Sequence, residues 1–274
     1  MKLSLWSAYF FEMSPEEVVE IFSRKGWRLG ELSVEHSMRL MEQGDPAATA
    51  GDFLKFASDP GVCFPQGHLV FDDDIAGPHQ DEVVEELTQW LDLYLALGIT
   101  AAVVHPGGHE LAAQDATPER ILEAQVRSFT RLTDHVTGDG LVICLENVSG
   151  AGQSIEDLWG IIDACGSDHL GICLDTGHLN MAGGDQAAFI RKAGPRLKAL
   201  HLCDNDASSD QHLMPYGSGT VRWDRVVAAL GELRYDGLLN FELPGEVLCP
   251  IPVRLAKMDY LRNVAEIMFG GAAA

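Results

Sequence analysis

Four short segments of the chain run through apolar residues and stop at a group that can bind a metal ion. They are Leu141-Val-Ile-Cys-Leu-Glu146-Asn147, Leu170-Gly-Ile-Cys-Leu-Asp175-Thr-Gly-His178, Leu197-Lys-Ala-Leu-His201-Leu-Cys-Asp204 and Leu238-Leu-Asn-Phe-Glu242-Leu-Pro244. A carboxylate ending an apolar run is costly to bury unless it is paired. The steps from Glu146 to Asp175, to His201 and to Glu242 are 29, 26 and 41 residues. A strand, a helix and two loops take about 30. Successive βα units are thus expected to bring two Glu, one Asp and one His to the same end of a parallel sheet. In a closed barrel that end carries the chemistry. An all-oxygen-and-nitrogen donor set suits Mn²⁺, Mg²⁺, Co²⁺ or Zn²⁺.

Further candidates sit in matching places. His105 follows the apolar run 99–104 and precedes Pro-Gly-Gly108, His68 lies inside the run 66–70, and His178 follows Asp175 by three residues. His178 could also orient a ligand from behind. Asp210 and His212 form an Asp-x-His in the polar, glycine-rich stretch 204–219, the kind of loop that contacts substrates. These added histidines tilt the metal toward Zn²⁺ or Mn²⁺. The other five, His36, His79, His109, His135 and His169, are expected at solvent or helix positions. Trp6, Tyr9, Phe10 and Phe11 end the first strand; they suit core packing, a dimer surface or a hydrophobic wall for a ligand.

The elements that must position these groups alternate from end to end. Strands are expected at 2–6, 27–32, 66–70, 99–104, 141–146, 170–175, 197–202 and 237–242. Helices fall between and after them. The first opens at Ser14-Pro15-Glu16-Glu17, a capping box with Pro at the first helical position, and stops near Gly26. The others cover 45–58, 80–97, 117–136, 154–165, 185–193, 223–233 and 252–269, and 270–274 reads as a frayed tail. The helix over 80–97 keeps Val83, Val84, Leu87, Trp90, Leu91, Tyr94 and Leu95 on one face and ends at Gly98. Eight strand–helix pairs in 274 residues match the roughly 250 of one (β/α)₈ barrel. No G-x-G-x-x-G turn follows the first strand, and the ligand-bearing strands are consecutive. We therefore expect an α/β protein with one TIM barrel domain over 1–274, not an open doubly wound sheet.

Composition narrows the function classes. The net charge of −22 repels polyanions, and a nucleic-acid partner would need basic patches; none is expected. No apolar stretch approaches the ~18 residues of a membrane span, and the N-terminus lacks a full signal-peptide core. The six cysteines contain no C-x-x-C pair. They read as reduced core thiols of a cytoplasmic protein. A homo-oligomer is compatible with all of this, and the oligomeric state stays open.

Together the motifs Leu-Glu146-Asn, Leu-Asp175-Thr-Gly-His178, His201-Leu-x-Asp204-Asn-Asp and Phe-Glu242 resemble the xylose isomerase-like TIM barrel superfamily. That group includes sugar isomerases and epimerases and the endonuclease IV enzymes of DNA repair. The run from His201 through Asp210-Gln-His212 to Gly217-Ser-Gly219 looks most like its sugar phosphate isomerase/epimerase members. The resemblance to the epimerases implies one divalent metal held by Glu146, Asp175, His201 and Glu242. It also implies that Glu146 and Glu242 act as the catalytic acid/base pair, on a carbohydrate substrate touched by His68, His105 and His178. Such a site abstracts a proton next to a carbonyl while the metal stabilises the enediolate.

The resemblance to the endonucleases implies instead three zinc ions on nine ligands, matching His68, His105, Glu146, Asp175, His178, His201, Asp210, His212 and Glu242. All nine residue types are present. The epimerases carry an arginine shortly after the strand-7 histidine, whereas here the first arginine after His201 is Arg222. The scarcity of Lys and Arg near loop ends also argues weakly against a phosphorylated sugar. A metal-dependent isomerase or epimerase is the leading expectation. The alternatives are a multi-zinc phosphodiesterase or a metal-dependent dehydratase on the same barrel. A barrel that binds without turnover is a third reading.

Overall fold

The computed structural model describes residues 2–148, 154–246 and 248–270; the expected tail beyond Gly270 lies outside them. Eight strands alternate with helices in the expected order. They are β1 Lys2–Trp6, β2 Leu29–Leu32, β3 Cys63–His68, β4 Ala101–Val104, β5 Val142–Glu146, β6 Leu170–Asp175, β7 Leu197–His201 and β8 Leu238–Phe241. The helices are α1 Pro15–Arg24, α2 Val34–Met41, α3 Pro46–Ser58, α4 Gln80–Leu97, α5 His109–Ala113, α6 Pro118–His135, α7 Ile155–Cys165, α8 Thr176–Met181, α9 Gln186–Ala193, α10 Trp223–Leu233 and α11 Ile251–Gly270. All strand pairs are parallel, in the order β7-β6-β5-β4-β3-β2-β1-β8. Among the described residues the ring closes between β7 and β8 through a single parallel bridge, Leu202 to Phe241, where the Leu202 N–H donates to the Asn240 carbonyl at 2.8 Å. The fold is the expected TIM barrel.

Local chemistry explains the helix starts. Ser14 and Ser154 form reciprocal capping boxes with Glu17 and Asp157, each satisfying two otherwise orphaned backbone donors. Pro15, Pro46 and Pro118 occupy first-turn positions, where the missing N–H costs nothing. Gly98, at φ 72°, ends α4 in the left-handed conformation.

Several elements differ from the expectation: α5 and α8 fall where loops were expected, and β2 and β4 each begin two residues later than 27 and 99. A short helix, α2, follows β2 where a loop was expected; Ser33 caps it by accepting from the His36 N–H. Its His36 is wholly buried, not solvent-facing, with its ring held by Ser7 Oγ at 2.8 Å and the Met13 carbonyl at 3.1 Å. The third strand also begins three residues earlier and ends two residues sooner than 66–70. Pro65 has no N–H for the ladder, and the register against β2 slips by one residue between Leu29/Cys63 and Glu31/Gln66, as in a bulge. His68 consequently sits at the carboxyl end of its strand rather than within it.

The strand period of two builds the barrel interior in layers. Val103, Cys144, Cys173 and Ala199 form a small buried apolar cluster. Two residues further along the same four strands come His105, Glu146, Asp175 and His201. A second set of buried inward positions, Ser4, Glu31, Gln66 and Asn240, is polar. The main apolar core lies outside the barrel wall, between strands and helices, and includes Phe22, Trp27, Phe64, Trp90 and Tyr94. The six cysteines are free, and Cys144, Cys173 and Cys203 are buried as expected. No helix among the described residues is long and apolar enough to cross a membrane.

Gly67 lets the Tyr94 ring pack against β3. A Cβ there would lie 2.8 Å from two Tyr94 ring atoms and 3.0 Å from Ile99 Cδ1. Tyr94 cannot retreat freely, because its hydroxyl donates to the His68 carbonyl at 2.6 Å. Gly67→Ala is therefore expected to destabilise the protein by about 1–3 kcal/mol, measured as a lowered urea midpoint with an unchanged slope.

Candidate metal centre

Glu146, at the end of β5, is the hub of the barrel mouth. It is 1% exposed, and four imidazoles surround it. His201 Nδ1 and His178 Nδ1 lie 3.1 and 3.2 Å from its Oε1. His68 Nε2 and His105 Nε2 lie 3.2 and 3.5 Å from its Oε2. His201 Nδ1 is also 3.1 Å from Glu242 Oε2. Donor atoms of Glu146, Asp175, His201 and Glu242 lie within 4.8 Å of one another. The Asn147 side chain holds β5 to β6, accepting from the Asp175 N–H at 2.9 Å and donating to the Asp175 carbonyl at 3.0 Å.

A second group adjoins the first. Asp210 Oδ2 accepts from His178 Nε2 at 3.3 Å and from His212 Nε2 at 3.1 Å. His212 Nδ1 bonds to the Glu242 carbonyl at 2.9 Å. All nine residues named from the sequence thus join one connected network, with His178 touching both groups. The remaining histidines, His36, His79, His109, His135 and His169, lie outside it. Asp175 also caps α8, accepting from the His178 N–H at 2.6 Å, and the Cys203 thiol sits 3.6 Å from its Oδ2. Asp204 serves structure: it accepts from the Trp223 indole at 2.8 Å and from the Val221 N–H at 3.0 Å. Tyr9 and Phe10 are core residues, Trp6 is half-buried and Phe11 is exposed.

The sequence reading missed Glu31 and Asn240. Glu31 is wholly buried at the end of β2. Its Oε1 lies 2.9 Å from His201 Nε2, and its Oε2 accepts from Asn240 Nδ2. A signal existed, because Leu29-Gly-Glu31-Leu32 repeats the pattern of a carboxylate among strand residues. Glu31 precedes the last strand residue, Leu32, and does not itself end the run.

Several observations fit a divalent cation. Glu242 Oε2 is buried with no hydrogen-bond partner among the described residues; His201 Nδ1 approaches it without the alignment of a bond. An orphaned buried carboxylate oxygen is uncommon, and a cation among the four donors would satisfy it. Three carboxylates and one imidazole converge with borderline-hard chemistry. Two cavities border the cluster. One, of about 190 Å³, is lined by Phe71, Asp74, His105 and Val148. The other, of about 510 Å³, is lined by Asn147, His178, Leu179 and Phe189. Phe71 stacks on the His105 ring at 4.5 Å and is an exposed aromatic at the rim.

Without a cation the charges neutralise one another by protonation. Burial opposes the ionised form of Glu242, but the His201 charge prevails and holds it down to about 2. Glu146 is likewise held well below the usual carboxylate range, His201 outweighing burial. Burial pushes Asp175 up to about 6. Burial resists protonation of His201, yet the surrounding anions raise it well above the ordinary imidazole. In the same contest His178 rises to about 12, mainly through Asp175, and His212 to about 10, mainly through its bond to Asp210.

Comparison with known proteins extends these observations. The profile of the xylose isomerase-like TIM barrel family matches residues 19–264. The chain is 34% identical over 178 residues to the probable endonuclease 4 of Nitratidesulfovibrio vulgaris strain Hildenborough, covering 60% of each. It is 37% identical over 90 residues to the D-psicose 3-epimerase of Enterocloster bolteae, covering 33% of this chain and 28% of that one. The chain spans about half the length of some curated relatives, 52% for the Sinorhizobium fredii protein y4fM. The crystal structure of a D-tagatose 3-epimerase-like protein superposes with a TM-score of 0.82 at 21% identity, covering all of both chains.

Ligand nitrogens must shed their protons to take up a metal, so proton release reports which histidines bind. At pH 7 Mn²⁺ binding to chelator-treated protein is expected to release about one proton, from His201, for a single ion. About three are expected when His178 and His212 also become ligands. Calorimetry in buffers of different ionisation enthalpy measures the count.

Proposed function

The chain belongs to the xylose isomerase-like TIM barrel family, and we propose that within it the chain is a divalent-metal-dependent isomerase or epimerase of small sugars. The observation that carries this reading is the pair Glu146 and Glu242, buried at the mouth on either side of His201, with one Glu242 oxygen unpartnered. Glu146, Asp175, His201 and Glu242 are the residues proposed to hold the ion. When bound, a divalent cation supplies positive charge beside the substrate carbonyl and hydroxyl oxygens, which favours loss of a neighbouring C–H proton.

The residues divide the remaining work. Glu242, held ionised by His201 and free at Oε2, takes the proton. Glu146 faces the same space from β5 and relays a proton to the substrate carbon from His178, whose protonated ring lies 3.2 Å from its Oε1. Return to the opposite face of the same carbon gives an epimer; return to the adjacent carbon gives an isomer. His68, His105 and His178 border the same space and are the residues proposed to contact the substrate. The Phe71 ring over His105 offers an apolar surface for the sugar's C–H face.

The net charge supports a small neutral substrate over a polyanion. A second reading has its own support. The His178–Asp210–His212 group adjoins the first, and several relatives are named as endonuclease 4. A multi-metal hydrolase, or a dehydratase using the same proton abstraction, would employ that arrangement.

With Mn²⁺ in ²H₂O, the protein is expected to exchange a substrate C–H for deuterium on at least one member of a ketose and aldose panel. Glu242→Gln is expected to slow that exchange by about 10²–10⁴-fold. Mass spectrometry shows the exchange; two or three zinc ions per chain with phosphodiester cleavage and no exchange would sink the reading.

His212→Ala separates the two readings further. A one-metal isomerase keeps one ion per chain in this variant, counted by elemental mass spectrometry. A multi-metal site loses at least one.

A further inference from the structure

Glu31, which the proposed chemistry does not use, lies directly behind His201. Its two oxygens are both engaged inside the barrel. Oε1 is 2.9 Å from His201 Nε2, and Oε2 accepts from Asn240 Nδ2. Asn240 Oδ1 in turn accepts from Ser4 Oγ at 2.9 Å. Ser4, Glu31, Asn240 and His201 are each 0% exposed. The chain of bonds crosses four strands, β1, β8, β2 and β7. Neither Glu31 oxygen is left for a substrate. A buried acid is a costly way to fill a barrel, since apolar residues of similar volume serve stability as well or better. Its placement is accounted for by what it does to the imidazole.

We infer that Glu31 is a positioning residue that commits His201 Nε2–H to the barrel interior and thereby turns Nδ1 toward the metal donors. The inference rests on the metal reading above. With Nε2 bonded to Glu31, only Nδ1 remains to face the mouth, where it lies 3.1 Å from both Glu146 Oε1 and Glu242 Oε2. A carboxylate on the far nitrogen of a ligating histidine fixes the ring's tautomer and orientation and raises its basicity. Asn240 and Ser4 hold that carboxylate in place. The β1–β8 register, which sets Ser4 beside Asn240, thereby bears on the mouth.

The test is calorimetric titration of chelator-treated protein with MnCl₂, for the wild type, Glu31→Gln and Glu31→Asp, each checked by thermal melting. Glu31→Gln keeps the shape and removes the charge. It is expected to bind Mn²⁺ about 10–100-fold more weakly while melting close to the wild type in the absence of metal. Glu31→Asp keeps the charge at a shorter reach and is expected to fall between the two. It carries the test should Glu31→Gln fail to fold. A variant that melts lower but binds Mn²⁺ as tightly as the wild type overturns the inference and leaves Glu31 a purely structural acid. A wild type that binds no divalent ion overturns the metal reading itself, and the inference with it. In zinc-loaded protein carrying ¹⁵N-labelled histidine, His201 is expected to show a protonated Nε2; a protonated Nδ1 overturns the proposal independently of any affinity.

Discussion

Keeping Glu146 charged while almost fully removed from water is the constraint on which the barrel mouth depends. An isolated carboxylate in that position would take up a proton or unfold its surroundings. Here four imidazoles, from the ends of β3, β4 and β7 and from α8, contact it. The strands must therefore stop at the same level, and the helices that follow must start by turning polar groups inward. The Asn147 clamp on β6 and the Asp175 cap of α8 both serve that end. The mouth is a network because its hub has no solvent to fall back on.

Much of this was legible because strand periodicity and barrel layering are local rules. An inward-facing residue near a strand's end places the residue two further on at the mouth. The apolar runs before Glu146, Asp175, His201 and Glu242 carried that information directly. His105, His178, Asp210 and His212 were placed by position relative to those runs. Most helix starts were legible for the same kind of reason, since Ser14, Thr117 and Ser154 announce their caps within four residues.

The rest depended on contacts between elements distant in sequence. Glu31 meets His201 across 170 residues of sequence, a pairing set by barrel closure and not by any local pattern. Asn240 reads as an interruption of an apolar strand until Glu31 is seen beside it. His36, expected at a solvent or helix position, does lie on α2, but its burial was hidden because its partners, Ser7 and Met13, arrive through the turn after β1. Pro65 obscured the start of β3, since proline argues against a strand unless a bulge absorbs it. In each case a tertiary contact outweighed the local preference.

The closure of the ring has a consequence of its own. β7 and β8 meet through one bridge, Leu202 to Phe241, and the residues on either side of that bridge include His201 and Glu242. The weakest join in the wall therefore lies directly beneath two of the proposed ligands. An ion gripped by both would act as a clasp across the seam, binding the closed ring and not the parted one. Folding and ion uptake would then be one linked equilibrium. The barrel would be tightest when loaded, and breathing of the wall would begin where the ion leaves.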